Sequence, residues 1–323
     1  MIKAPHDMTA PFLFEWTQTV HRKGWSIETI FFLSHVKKAT FIFLKRKTMR
    51  SKFLIYLCLV AFFSCEKKTP EIGLQLYSLR NQFKEDVPGT LAKIKEFGIH
   101  EIEGGGTYDY SMEEYQKMLA DNELKMVSVG IDFQQLIDDP QPAIDNAKAF
   151  GAKYIVCFWI PHPGDTFTIE HAQKAIDAFN AGGRKIQESG LSFCYHPHGF
   201  EFRPYEDGTL FDYMMMNTDP KYVNYEMDVF WVKQPGQDPV ELLKKYPERF
   251  LLMHLKDRKH GTPDSQDGHA DDDTNVVLGT GDVGIAAIME QAQKNGVKHY
   301  FIEDESSHSV QQIPQSLTFL KGL

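Results

Sequence analysis

Short apolar runs alternate with amphipathic stretches along the chain from Glu71 onward. In the amphipathic stretches the apolar residues recur every three to four positions, which is the period of a helix packed on one face. The apolar runs predict eight strands, at residues 72–79, 100–103, 125–131, 154–160, 192–198, 223–230, 250–256 and 300–305. The stretches between them predict eight helices, at residues 86–97, 112–122, 142–150, 169–189, 210–216, 239–246, 283–294 and 310–320.

This alternation predicts an α/β fold of one domain, a (β/α)₈ TIM barrel over residues 71–323. Glycines follow several of the predicted helices, as expected where a helix ends in a left-handed residue: Gly98, Gly151, Gly190 and Gly296. A doubly wound open sheet is the competing architecture. That fold would place a glycine-rich phosphate-binding loop after the first strand, and none is found there.

The predicted strands 5 to 8 each end in residues of the types that can bind metal ions in proteins. In a TIM barrel the chemistry lies at the C-terminal ends of the strands, so these residues would share one rim. They are His196 and His198 on strand 5, Asp228 on strand 6, His254 on strand 7, and Glu303 and Glu305 on strand 8. The strand 5 sequence FCYHPHGFEF adds Glu201 in the following loop. The alternative interpretation is that each is only a polar residue at a strand end.

Charge is distributed unevenly along the chain. The composition, with 42% hydrophobic and 24% charged residues, is typical of a globular protein, and the net charge is −9. Residues 1–65 contain ten Lys and Arg against three Asp and Glu, which leaves a net charge of −16 for residues 66–323. Such an acidic body argues against a nucleic-acid partner, because binding the phosphate backbone needs a basic surface.

The segment MRSKFLIYLCLVAFFSC, residues 49–65, resembles a bacterial lipoprotein signal peptide. A basic start precedes an apolar run that is too short to span a bilayer, and Cys65 follows. The resemblance predicts lipidation of Cys65, export to the periplasm or the cell surface, and membrane contact only through that anchor. Residues 66–70 would form a short linker. Residues 1–48 are then either an over-annotated start, with Met49 the true start, or a disordered extension. The competing interpretation of residues 49–65 is a short buried helix.

The phrases YHPHGFEF, MDVFWV and HLKD resemble the xylose-isomerase-like TIM-barrel family, and within it the group of sugar phosphate isomerases and epimerases. The family also contains an AP-endonuclease branch. The resemblance implies a divalent metal held by Glu, Asp, His and Glu from strands 5 to 8, of which Asp228, His254 and Glu303 match. Where many members have Glu-Asn-His, this chain has His196-Pro197-His198, which is similar to inosose dehydratases. The strand 5 ligand is therefore either His196 or Glu201.

The resemblance implies a metal-dependent isomerase or epimerase that acts on a sugar or keto-sugar through a metal-bound enediolate. Mn²⁺, Mg²⁺, Co²⁺ and Zn²⁺ all suit such ligands. Glu201, Glu303 and His196 are the candidate proton-transfer groups. The candidate substrate-binding residues are His198, Lys256, Trp159, Trp231 and Tyr77. Loss of a hydroxyl instead would make the protein a dehydratase or lyase. A non-catalytic sugar-binding lipoprotein is the alternative of a different class. A DNA endonuclease ranks third, because the further His and Asp ligands of a trinuclear site are not found.

Overall fold

The computed structural model describes residues 70–323. Within them, eight parallel strands close into a barrel in which neighbours along the chain are also neighbours in space, and β1 pairs with β8. The strands are β1 Ile72–Gln75, β2 Glu101–Gly104, β3 Lys125–Gly130, β4 Tyr154–Cys157, β5 Ser192–Tyr195, β6 Val223–Asp228, β7 Phe250–Leu255 and β8 His299–Ile302. The prediction of a single-domain (β/α)₈ barrel is confirmed.

Eleven α-helices lie among the described residues, mostly around the barrel. They are α1 Arg80–Glu85, α2 Val87–Glu96, α3 Met112–Asp121, α4 Phe133–Asp138, α5 Gln141–Phe150, α6 Ile169–Glu188, α7 Leu210–Asn217, α8 Val229–Lys233, α9 Pro239–Lys245, α10 Ile285–Asn295 and α11 Ser309–Leu320. Among residues 70–323, no helix combines the length and the apolar character that crossing a bilayer requires. The expectations for residues 1–48, for the signal peptide at 49–65 with Cys65, and for nearly all of the linker at 66–70 lie outside the described residues.

Several strands are shorter than predicted, and in two of them a polar side chain ends the strand. The strand predicted at 72–79 stops at Gln75, whose side-chain oxygen accepts a hydrogen bond from the Tyr77 N–H and starts a 3₁₀ turn over Leu76–Leu79. The strand predicted at 223–230 stops at Asp228, whose carboxylate accepts the N–H groups of Phe230 and Trp231 and caps α8. Helix α4 was not predicted, and its first turn is capped in the same way by Asp132.

Near the strand ends, residues two positions apart lie on the same face of their strand. They form two levels, an apolar one and a polar one. Alternate residues of a strand share a face. Cys194, Leu252 and Phe301 belong to one small apolar cluster. Two residues further along the same chain segments come His196, His254 and Glu303. The polar level therefore rests on a packed apolar level, which gives these side chains a rigid support.

Candidate metal centre

Four buried side chains from four successive strand ends meet at the rim of the barrel. His196 directly follows β5, Asp228 ends β6, His254 lies in β7, and Glu303 directly follows β8. One nitrogen or oxygen atom from each of the four lies within 4.8 Å of the corresponding atoms of the other three. The set of two imidazoles and two carboxylates suits a divalent metal ion such as Zn²⁺ or Mn²⁺.

Asp228 and His196 each direct one buried polar atom toward the centre of this group. Asp228 Oδ1 accepts hydrogen bonds from the Phe230 N–H at 2.7 Å and the Trp231 N–H at 3.1 Å, which fixes the carboxylate. Its other oxygen, Oδ2, has no hydrogen-bond partner and lies 3.5 Å from His196 Nε2, which has none either. Buried polar atoms in native proteins are nearly always paired, so two facing atoms without partners are what a bound cation would explain.

One ring nitrogen of His254 faces the four-residue group, and the other contacts a carboxylate outside it, that of Glu103. Its Nε2 lies 2.6 Å from Glu103 Oε1, and its Nδ1 lies 3.3 Å from Glu303 Oε2. Glu103 is itself held by the side-chain amide of Gln75 at 2.8 Å and by the hydroxyl of Ser128. When Nε2–H donates to Glu103, the lone pair of Nδ1 is left for a metal ion, which is the usual way in which a carboxylate orients a metal-binding histidine.

Sequence reasoning missed Glu103, Gln75 and Ser128, and also Glu226, whose Oε2 lies 3.4 Å from His254 Nε2. A signal for two of them was present. Glu226 precedes Asp228 by two residues in one strand, and Glu103 follows Glu101 by two residues in another. A second acidic residue on the inward face of a strand indicates a buried carboxylate beneath the rim.

Exchange of Glu103 for glutamine is expected to weaken metal binding by about ten-fold, at the lower end of the 10–100-fold range for residues that orient a metal ligand. The amide keeps the shape of the side chain but loses the charge that favours Nε2–H on His254. The dissociation constant is measured by competition with a chromogenic chelator. Glu101→Gln is the matched control, because Glu101 lies two residues earlier in β2 and contacts His299 and Lys125 instead. Equal affinity of the two variants would contradict the orienting role.

Burial and mutual contact shift the pKa values of the group strongly. Burial raises the pKa of Asp228 to about 6, and burial together with neighbouring His254 lowers the pKa of His196 to about 3. Burial, with the adjacent Glu103, holds the pKa of Glu226 well above its usual range. Burial lowers the pKa of His254, but the carboxylates around it outweigh burial and raise it overall. The site holds more carboxylates than its own cations balance, a condition that a divalent ion relieves.

Lys256 neutralises part of this charge from inside the protein. It is 1% exposed, forms a short ion pair with Glu305, and has its Nζ 3.4 Å from Glu303 Oε2. Its ammonium group also lies 5.2 Å from the ring centres of both Phe230 and Trp231. The prediction that Lys256 faces the substrate is not supported by this position, since its charge is already paired and it does not line the cavity described below.

The structure does not bring Glu201 to the metal group. Gly199, with a φ of 97°, begins a 3₁₀ turn over Phe200–Phe202 that directs the Glu201 side chain toward Tyr195 of β5. There it is fully buried and accepts hydrogen bonds from the Tyr195 hydroxyl and from the His198 N–H at 3.1 Å. Its expected position over the barrel mouth, as metal ligand or base, is therefore wrong. Glu201 instead fixes the conformation of the segment that carries the two histidines.

A cavity of about 470 Å³ opens above the four side chains. Tyr77, Trp159, Trp231 and His198, all predicted from the sequence to bind substrate, line it together with His196 and Glu303 of the metal group. His198 lies beside His196, with their Nδ1 atoms 3.3 Å apart, and its ring meets Trp159 edge-on at 5.2 Å. Aromatic faces and polar groups above a cation site are suited to a small polar ring compound.

Comparison with known proteins identifies the family. A family model described as a xylose isomerase-like TIM barrel matches residues 91–323. The chain belongs to this family. Proteins that match this chain are named as an inosose dehydratase and as sugar phosphate isomerase/epimerases. The four-residue group at its barrel rim has ligand types that suit a divalent ion.

Individual relatives are distant. Inosose dehydratase from Geobacillus kaustophilus is 25% identical over 213 residues, which is 59% of this chain and 60% of that protein. Two structures of sugar phosphate isomerase/epimerases from Parabacteroides distasonis are 24% and 26% identical, with TM-scores of 0.65 and 0.63. They cover 79% of this chain and 95% and 98% of their own. A structure of the IOLI protein with a zinc atom shares the fold, with a TM-score of 0.60 at 13% identity over 78% of this chain and 95% of that one.

Proposed function

We propose that this protein is a divalent-metal-dependent isomerase or epimerase of a sugar or keto-sugar. The observation that carries the proposal is the pair of buried atoms without partners, Asp228 Oδ2 and His196 Nε2, in a group completed by His254 and Glu303. A cation in this position would be held by His196, Asp228, His254 and Glu303 directly beneath the cavity. Mn²⁺, Mg²⁺, Co²⁺ and Zn²⁺ remain the candidates.

Bound there, a divalent ion would polarise a substrate carbonyl and make the neighbouring C–H more acidic. The chain's own residues would do the rest. Trp159 and Trp231 would hold the ring of the substrate in the cavity. Glu303 belongs both to the metal group and to the cavity wall, so its carboxylate is a candidate to take up and return the proton. His196 is the other proton-transfer candidate, and its imidazole is held next to that of His198.

A dehydratase that acts on a keto-sugar or an inosose-like ketone is the second candidate. The adjacent imidazoles of His196 and His198 at the cavity wall favour it, because the His-Pro-His sequence that carries them is similar to inosose dehydratases. The relatives named inosose dehydratase point the same way. In this reaction the proton taken from carbon is not returned, and water leaves.

The experiment that tests the proposal combines metal analysis with isotope exchange. Protein purified without chelator is expected to contain about one divalent ion per chain. In D₂O it is expected to exchange the C–H proton beside the carbonyl of at least one keto-sugar, observed by NMR, and removal of the ion should stop the exchange. An unsaturated ketone, or the diketone to which it tautomerises, would identify the dehydratase. Bound metal without exchange on any substrate would favour the non-catalytic sugar-binding protein, and absence of bound metal would overturn the proposal.

We also propose that the protein is exported and held at a membrane by lipid on Cys65. The support is the signal-like segment at residues 49–65. Cells grown with a labelled fatty acid are expected to label the wild-type protein and not Cys65→Ser. Cys58→Ser is the matched control, since that cysteine lies within the apolar run of the same segment and should keep the label. Equal labelling of Cys65→Ser and wild type would contradict the anchor.

A further inference from the structure

Among residues 70–323, acidic and aromatic side chains line the cavity above the metal group, and no lysine or arginine does. Its carboxylates are Asp272, Glu303 and Glu305. Its aromatic wall is formed by Tyr77, Phe158, Trp159 and Trp231, and His269 stacks on Trp159 with ring centres 5.8 Å apart. This combination bears on the charge of the substrate, which the family assignment leaves open.

Two cations, Arg80 and Lys256, contact carboxylates of the cavity wall and are already paired with them. Arg80 donates to Asp272 Oδ2 at 2.6 Å and to the backbone oxygen of Glu305 at 2.8 Å. Lys256 is paired with Glu305 and Glu303 from behind the wall. Neither has a free charge to offer to an anionic ligand.

Two further arginines are also held by other groups. Arg203 donates to the backbone oxygen of Gln266 at 3.0 Å and to that of Asp165. Arg258 is 3% exposed and donates to Asp264 at 2.8 Å and to Asp282 at 2.9 Å. Both hold loop segments in place and do not reach the cavity wall.

The remaining positive charge would be that of the metal ion itself. Two of the proposed ligands, Asp228 and Glu303, carry charges that balance a divalent ion. Glu305 and Asp272 balance Lys256 and Arg80. The cavity thus has no surplus positive charge, and a phosphate group, with a charge near −2, would enter without a counter-charge.

We infer that the cavity accepts uncharged sugars or cyclitol ketones and discriminates against their phosphate esters. This inference rests on the proposed function, since it concerns the same site. It differs from what the names of the Parabacteroides distasonis structures suggest for those proteins. An uncharged ring can lay its C–H faces on the tryptophans and its hydroxyl groups against the carboxylates, with no charge left unpaired.

The test uses the full chain loaded with Mn²⁺ and a panel of ketohexoses, aldohexoses and cyclitols, each paired with its own monophosphate ester. Isothermal titration calorimetry measures binding, and NMR in D₂O measures proton exchange. We expect at least one free member to bind at least ten-fold more tightly than its ester. An ester that binds as tightly as its free partner, or a panel in which no free member binds, would overturn the inference.

The two readouts separate the inference from the proposed function. Selective binding of a free sugar without any proton exchange would remove the proposed function and leave the substrate class standing. Proton exchange that is as fast on an ester as on its free partner would remove the substrate class and leave the proposed function standing.

A variant tests the electrostatic cause. Asp272→Asn removes one carboxylate from the cavity wall and releases Arg80 from its ion pair. The ratio of the dissociation constants of the ester and the free sugar should therefore fall by about two- to five-fold, as expected for a partly exposed charge. Asp273→Asn is the matched control. Asp273 is the next residue of the same turn but contacts Ser307 and does not line the cavity, so the discrimination should stay as in wild type. Identical discrimination in Asp272→Asn and wild type would contradict the electrostatic explanation.

Discussion

The His254→Ala variant is expected to lose its metal ion and, with it, at least about a thousand-fold of the turnover. His254 is fully buried, and its Nδ1 faces Glu303 Oε2 at 3.3 Å and Asp228 Oδ2 at 4.0 Å. Removing one of the four proposed ligands should lower the metal affinity by more than the 10–100-fold that loss of an orienting residue costs. The turnover falls because polarisation of the carbonyl contributes several kcal/mol to transition-state stabilisation. Metal content per chain and the rate of proton exchange measure the two effects.

His299→Ala is the matched control for this variant. His299 lies in β8 and pairs with Glu101 of β2, with 2.6 Å between Nδ1 and Oε2, at the opposite end of the barrel. It repeats the pairing of a histidine with a glutamate across strands without approaching the cavity. This variant should keep wild-type metal content and turnover, and circular dichroism should show that both variants are folded. If His254→Ala keeps full metal occupancy, the metal site is misassigned, and the polar residues at the strand ends only cap their strands.

The Lys256→Met variant is expected to lower the free energy of unfolding of the metal-free protein by about 3 kcal/mol, the lower end of the cost of breaking a buried ion pair. Methionine fills the space next to Phe230 and Trp231 but leaves Glu303 and Glu305 without their cation. Both carboxylates must then be protonated or stay charged in a buried position. Urea unfolding in the presence of a chelator measures the change.

Lys117→Met is the control for the loss of a lysine as such. Lys117 pairs with Asp121 on the surface of α3, where the two side chains are 74% and 61% exposed. Water screens such a pair, so the free energy of unfolding should change by no more than about 0.5 kcal/mol. If Lys256→Met changes the free energy of unfolding as little as Lys117→Met does, the buried lysine is not the cation that balances Glu303 and Glu305.

The sequence by itself determined the architecture and the side of the barrel on which polar chemistry collects. Strand and helix periods are local properties, visible in runs of about five to twenty residues. Once eight repeats are counted, barrel closure places every strand end on one rim. His196, Asp228, His254 and Glu303 could therefore be grouped from the sequence, because each follows or ends an apolar run and the fold does the rest.

Only the tertiary structure decided which atoms of these side chains meet. Glu201 is five residues from His196, yet a turn at Gly199 and the hydroxyl of Tyr195 direct its carboxylate away from the group. Glu103 is 151 residues from His254, and their contact at 2.6 Å depends on the register of all the strands between them. The pairing of Lys256 with two glutamates likewise depends on barrel closure. Contacts of this kind leave little trace in local sequence, since the residue types alone do not say which carboxylate receives the cation.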